Sequence, residues 1–209
     1  HAQSANNELY SRTGSWEGRS EDPELTALGW QQAEWLADFL TSGDPDGGYI
    51  PPGQPKKGFS FTHLYTSLML RTVCTGTTVA DRLGLPLVGQ VDLHELGGVM
   101  KRDFVTDERT GMPGKNRSFF QENYPNLLVP EEVGEEGWWN RPVETEPDFL
   151  PRAQRVFRWL LDTHGGTSDR VALFSHGAFF KVFFAALVGL DSTKGLWSDI
   201  HNTSISRFD

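Results

Sequence analysis

A chain of 209 residues has the length of one α/β domain and enough substance for a sizeable core. Hydrophobic residues make up 37% and charged residues 22%, which excludes a disordered or fibrous chain. Lys and Arg number 19 against 28 Asp and Glu, for a net charge of −9, so neither a broad nucleic-acid surface nor an anionic-membrane surface is expected. Any bound anion has to be held by a local cluster working against the overall field.

In chain order, Asp22-Pro23-Glu24-Leu25-Thr26 reads as a turn into a helix with Thr26 as N-cap. Gly29, Ala33, Leu36 and Leu40 then share one helical face, and residues 41 to 58, rich in Gly and Pro, form an exposed loop. Phe59 to Tyr65 reads as a strand. Met69, Val73, Gly76, Ala80 and Leu83 give the next helix a buried stripe, with Gly84 as its C-cap. Cys74, the single cysteine, lies in that helix as a core residue and excludes an internal disulfide. Pro86 to Leu93 reads as a short strand ending at His94-Glu95.

Residues 100 to 148 show no clear period. They carry Lys101, Arg102, Arg109, Lys115 and Arg117, then Phe119, Phe120, Tyr124, Trp138 and Trp139. The expectation is an insertion that folds over the site and sets substrate choice, through its cations and through aromatics that either close over the substrate or anchor the segment. Phe149, Ala153, Val156 and Leu160 mark a helix closed by Gly165-Gly166. Arg170 to Ser175 is read as a buried strand and Ala178 to Val188 as a largely buried helix. The run from Ala178 to Leu190 is too short to span a membrane and contains Lys181. Strands alternating with helices predict an α/β fold, a mostly parallel sheet with helices on both faces, in a single domain over residues 1–209.

Four residues carry the chemistry. His1 and His176 are each followed by a small residue, and His176 lies where an apolar strand meets a helix N-terminus, a natural anion site. Arg71 and Glu95 also follow predicted strands, at the carboxyl ends where α/β sheets bind ligands. A neutral imidazole attacks phosphorus in line, an arginine fork and a protonated second histidine neutralise the oxygens, and a carboxylic acid protonates the leaving group. This reading assigns nucleophile to His1, phosphoryl clamp to Arg71 and His176, and acid–base to Glu95. The rival is a zinc site built from histidines and Glu95, but no pair has the close helical spacing of a zinc motif, so no metal and no cofactor are expected. His63, His164 and His201 are read as structural, and Trp30, Trp35 and Trp159 as packing.

Six segments in this order (His1-Ala2-Gln3-Ser4-Ala5-Asn6-Asn7, Leu25 to Ala33, Tyr65 to Thr75, Leu93-His94-Glu95, Ser175-His176-Gly177 and Asn202-Thr203-Ser204-Ile205) resemble the histidine phosphatase (phosphoglycerate mutase-like) superfamily, its large cytosolic-type branch. The resemblance implies hydrolysis of a small phosphate monoester through a phosphohistidine, in the cytoplasm. It adds Asn7 and the backbone at Ala2 and Gly177 as lining of the phosphate pocket, with Asn202 as support. Lys101 and Arg102 are substrate-pocket candidates in the insertion, and His94 is read either as a third at the pocket rim or as a surface residue. In that family an arginine precedes the histidine and a strand delivers it; here His1 stands first, so both termini are expected to be trimmed. The family's mutases carry an Arg-Glu-Arg-x-Tyr-Gly run after the acid. This chain has Leu96-Gly97-Gly98-Val99-Met100-Lys101 instead, which places a mutase second and an inactive binding module third.

Overall fold

A computed structural model describes residues 1–44, 58–194, 196 and 199–209. Most of the loop expected at 41–58 therefore lies outside the described residues. The elements are α1 (Ala5–Thr13), α2 (Ala27–Ser42), β1 (His63–Thr66), α3 (Leu70–Leu83), β2 (Leu87–Gly89) and a 3-10 turn (Val91–Leu93). Then follow β3 (Met100–Arg102), β4 (Arg109–Gly111), α4 (Arg117–Asn123), β5 (Leu127–Leu128), α5 (Glu146–His164), β6 (Val171–Phe174) and α6 (Gly177–Leu187).

The main sheet runs β5-β2-β1-β6 and every pairing in it is parallel. The pleat sorts side chains by a period of two. Leu64, Leu87, Ala172 and Phe174 join the apolar cluster with α2 and α3. Their neighbours Tyr65, Val88, Val171 and Leu173 join the cluster with α5 and α6. Helices thus cover both faces, as the alternating pattern predicts.

The helix ends follow local chemistry. Thr26 Oγ1 accepts the Gly29 N–H at 3.0 Å and opens α2. Gly84, at φ 67°, closes α3 in a left-handed conformation that suits glycine. Two strands are shorter than the sequence implies. Phe59 and Phe61 stack on each other and pack on the α2–α3 cluster, leaving only His63–Thr66 to pair. The β2 strand stops at Gly89, where a side chain would collide with Leu68 and Pro130, and Gln90 then caps the 3-10 turn. β6 is only part-buried over Val171–Leu173, because it lies at the sheet edge among the described residues.

Residues 100–148 divide in two. β3 and β4 form a separate antiparallel hairpin, but β5 pairs with β2 and extends the main sheet. Phe120, Trp138 and Trp139 are buried in the α2–α3 cluster, so these aromatics anchor the segment and do not close over a substrate. The indole of Trp139 lies where a Gly98 side chain would sit, 2.1 Å from the place of its Cβ, and Gly98 has φ 76°.

Candidate active site

The first residues are threaded between α3 and the strand ends. The Ala2 N–H donates to Thr75 Oγ1 at 3.0 Å, and the Thr75 hydroxyl donates to the Arg71 carbonyl at 2.7 Å. Asn202 Nδ2 and the Thr203 N–H both donate to the His1 carbonyl, at 3.2 and 3.1 Å. The His1 backbone nitrogen reaches the Ser175 carbonyl at 3.3 Å.

These bonds orient the imidazole. His1 Nδ1 lies 2.8 Å from the Ala2 carbonyl, an acceptor, so this nitrogen carries the proton. Nε2 is then the lone-pair nitrogen, and the Arg71 Nε–H donates to it at 3.3 Å. The His176 ring centroid is 5.2 Å away, a gap one phosphoryl group spans. His176 is the N-cap residue of α6 and its Nε2 is 3.0 Å from Ser67 Oγ, while its Nδ1 is buried with no hydrogen-bond partner among the described residues. Ser67 is itself fixed by its N–H to the Phe174 carbonyl at 3.0 Å, which ties the ends of β1 and β6 together.

Burial, with Arg71 next, holds His176 well below its ordinary pKa. Burial favours the neutral ring in the empty site, while a bound phosphoryl group would favour the protonated donor expected above. Glu95 lies against the start of α6: its carboxylate accepts from Phe179 N–H at 2.9 Å, Ala178 N–H at 3.3 Å and Leu96 N–H at 2.9 Å. It also acts electrostatically on Arg71. The structure thus brings His1, Arg71 and His176 together, with Glu95 beside them at the helix N-terminus.

The supporting residues divide. Asn202 holds the His1 carbonyl and also donates to Asn7 Oδ1 at 3.3 Å. Asn7 completes the capping box of α1 with Ser4. Gly177 opens α6 beside His176. The Ala2 N–H is engaged by Thr75, so this amide supports His1 instead of lining a phosphate pocket. His94 is neither rim nor surface: it is 2% exposed, edge-on to Trp139 at 4.6 Å, and its Nδ1 meets the Glu95 carbonyl at 2.8 Å. It is a core histidine, which burial, then Arg152, pushes down to about 2. Lys101 and Arg102 alternate on β3 and so face opposite ways; Lys101 is exposed, and only Arg102 joins the arginines described next.

Sequence reasoning missed three residues. Arg19 extends its guanidinium over the Trp16 ring at 5.8 Å, with its Nε buried and without a hydrogen-bond partner among the described residues. Arg102 and Arg109 sit directly opposite each other across the β3–β4 hairpin. Burial pushes Arg19 below its ordinary pKa; Glu95 opposes this and the like charges of Arg102 and Arg109 add to it. Asp22 accepts the Leu70 N–H at 2.9 Å with Oδ1, while its other oxygen is buried and has no hydrogen-bond partner among the described residues. Burial pushes its carboxyl up to about 6 against the pull of Arg71. Arg152, 2% exposed, forks onto Glu144 at 2.6 and 2.8 Å and donates to the Asp92 and His94 carbonyls at 2.7 and 3.0 Å, fixing the segment that carries Glu95. Only a charged residue on an otherwise apolar stripe marked Arg152; Arg19 and Asp22 stood in a turn with no distinguishing pattern. Cys74 is buried against Tyr124 and its thiol is pushed up to about 11, in keeping with a core role.

Two buried neutral histidines set an acid limit on stability. Below the ordinary histidine pKa of 6.5, the unfolded chain binds protons that folded His94 and His176 refuse, so stability falls as pH falls. For His94 the ceiling is about 1.4 kcal/mol per pH unit, or about 2 kcal/mol by pH 5, and His176 acts in the same direction. Asp22 opposes this below about pH 6, because its raised pKa makes the folded state the better proton binder there. Urea midpoints should therefore fall as pH drops from about 7 to 6, before the Asp22 offset is complete, and His94→Asn should flatten that slope by half or more. An unchanged slope would mean that His94 takes up its proton while folded.

The parallel α/β sheet thus gathers a histidine pair and an arginine at its strand ends, the place where such sheets bind ligands. The family model for the histidine phosphatase superfamily (branch 1) matches residues 53–209, and the chain belongs to that superfamily. The match includes Arg71, Glu95 and His176, while His1 lies outside it. No curated protein is similar enough in sequence to count as a relative. Among solved structures, the chain is similar to the ecdysone phosphate phosphatase of Bombix mori in complex with tungstate (17% identity, TM-score 0.53, covering 100% of this chain and 70% of that one). It is also similar to a mycobacterial glucosyl-3-phosphoglycerate phosphatase (18%, 0.53, 92% and 79%). A third likeness is to phosphoserine phosphatase from Entamoeba histolytica in complex with 3-phosphoglyceric acid (17%, 0.50, 91% and 78%). At these identities the likeness establishes the fold.

Proposed function

We propose that this protein hydrolyses phosphate monoesters through a phosphohistidine on His1, without a metal. The observation that carries the reading is the unprotonated Nε2 of His1, aimed at Arg71 and across a phosphoryl-sized gap from His176. Nε2 attacks phosphorus as the ester P–O bond breaks, Arg71 and His176 hold the oxygens, and Glu95 gives a proton to the leaving oxygen. Water then attacks the phosphohistidine, Glu95 takes its proton, and inorganic phosphate leaves. The absence of the mutase run after Glu95 favours hydrolysis over phosphoryl return.

Assaying p-nitrophenyl phosphate with and without EDTA, and trapping an acid-labile phosphoenzyme, tests this directly. Undiminished turnover in EDTA is expected. Loss on chelation restored by zinc would overturn the metal-independent mechanism, and no turnover over a broad phosphomonoester panel would favour a binding module.

The three arginines Arg19, Arg102 and Arg109 point to a substrate with a second acidic group. Like charges gathered beside a part-buried guanidinium are costly without an anion among them, and among the described residues only Arg102 of the three has a carboxylate partner, Asp107 at 2.5 Å. Arg19→Gln should lower the ratio of kcat/KM for 3-phosphoglycerate to that for glycerol 1-phosphate about tenfold, the value of one charge-assisted hydrogen bond. Arg19→Lys should lower it less. A constant ratio across the three proteins would remove the assignment.

A further inference from the structure

At the opposite end of the sheet from His1, three side chains from separate elements converge. His63 opens β1, His164 ends α5, and Asp169 precedes β6. Their donor atoms all lie within 4.8 Å of one another. His164 Nδ1 is 2.9 Å from Asp169 Oδ2, and His63 Nδ1 is 3.7 Å from Asp169 Oδ1. Two bonds of about 2.0–2.1 Å at a tetrahedral angle separate zinc ligands by roughly 3.3 Å, a value these two distances bracket. We propose that His63, His164 and Asp169 form a divalent transition-metal site, of the zinc class, remote from the phosphoryl chemistry.

Three further features fit an ion there. His164 Nε2 lies 3.0 Å from Tyr65 Oη, so the ring already has the outer partner that metal-bound histidines keep on their second nitrogen. Trp159 packs edge-on to Tyr65 at 4.8 Å and fixes the phenol that makes that contact. His63 is 41% exposed and Asp169 26%, which leaves an entry path and room for water as a fourth ligand. Thr62 Oγ1, 2.9 Å from His63 Nδ1, engages the same nitrogen and is the contact an ion would displace. Two imidazoles and one carboxylate suit a borderline ion and disfavour Mg²⁺ and Ca²⁺, which prefer oxygen.

Without an ion, the same groups form a hydrogen-bonded cluster in which His164 Nδ1–H donates to Asp169. Binding needs the Nδ1 lone pair, so the His164 proton moves to Nε2, where Tyr65 Oη accepts it, a change of tautomer in which the ring keeps its proton.

Titrating the intact chain calorimetrically with Zn²⁺ distinguishes the two states, and Co²⁺ visible absorption reports the coordination. One ion per chain, a rise in Tm, and at least tenfold weaker binding in both His63→Ala and Asp169→Asn are expected. Those two variants should keep the melting temperature of the metal-free protein within a few degrees and leave p-nitrophenyl phosphate turnover unchanged. No binding by the unaltered chain, or binding undiminished in both variants, would overturn the site and leave only the hydrogen-bonded cluster. Because the readout is binding, the result stands whether or not the protein proves to be a phosphatase.

Discussion

Replacing His1 by alanine should lower turnover of any phosphomonoester by about 10⁴-fold or more, the scale of losing a covalent nucleophile. The fold should persist, because the imidazole's own bonds are to the adjacent Ala2 carbonyl and to Arg71, while the chain there is held through its backbone by Thr75, Asn202 and Thr203. Arg71 and His176 remain to bind inorganic phosphate, so phosphate affinity should change far less than rate. The measurement is single-turnover kinetics beside phosphate titration. The acid-labile phosphoenzyme should vanish with the histidine. Retention of a phosphoenzyme in His1→Ala would move the nucleophile elsewhere, with His176 the next imidazole.

A second large effect is expected at Arg152. Arg152→Met keeps the apolar stem that lies against Phe179, whose ring is 4.3 Å from the guanidinium, but strips Glu144 and the Asp92 and His94 carbonyls of their donors. Breaking one side of a buried ion pair costs about 3–5 kcal/mol, a large part of a domain's net stability. Adding Glu144→Gln should recover much of that, because the uncompensated charge is then gone. Urea unfolding of the two variants makes the comparison. Turnover of the folded fraction should also fall, since the segment ending at Glu95 loses its anchor. A loss under about 1 kcal/mol would show that water reaches Glu144 and takes over the arginine's role.

Much of this fold follows from local signals. Helical stripes and caps mark α2, α3 and α5, because a caps-and-stripe pattern is written within a few turns of chain. The strand ends were legible for the same reason: Arg71, Glu95 and His176 each follow an apolar run. The edges of the strands were not, since Phe59, Phe61 and Gly89 are decided by packing partners distant in sequence. His94 illustrates the same limit. Its neighbour Glu95 reaches the helix N-terminus, yet His94 turns into a core formed by Trp138 and Trp139, more than forty positions on. Arg19 carried no pattern at all; its meaning arises only when the β3–β4 hairpin presents Arg102 and Arg109 to it. The charge of His176 is likewise a property of its surroundings and not of the Ser-His-Gly motif.

The pairing of β5 with β2 bears on how specificity could be moved between proteins of this architecture. Exchanging residues 100–148 as a block would remove a strand from the sheet and two core tryptophans with it. A graft limited to the hairpin, cut within β3 and β4, exchanges Arg102 and Arg109 while the sheet keeps its four strands. Recombination between homologues faces the same geometry: crossovers at the hairpin are tolerated, and crossovers between Leu127 and Trp139 are not, unless both parents fill the same core.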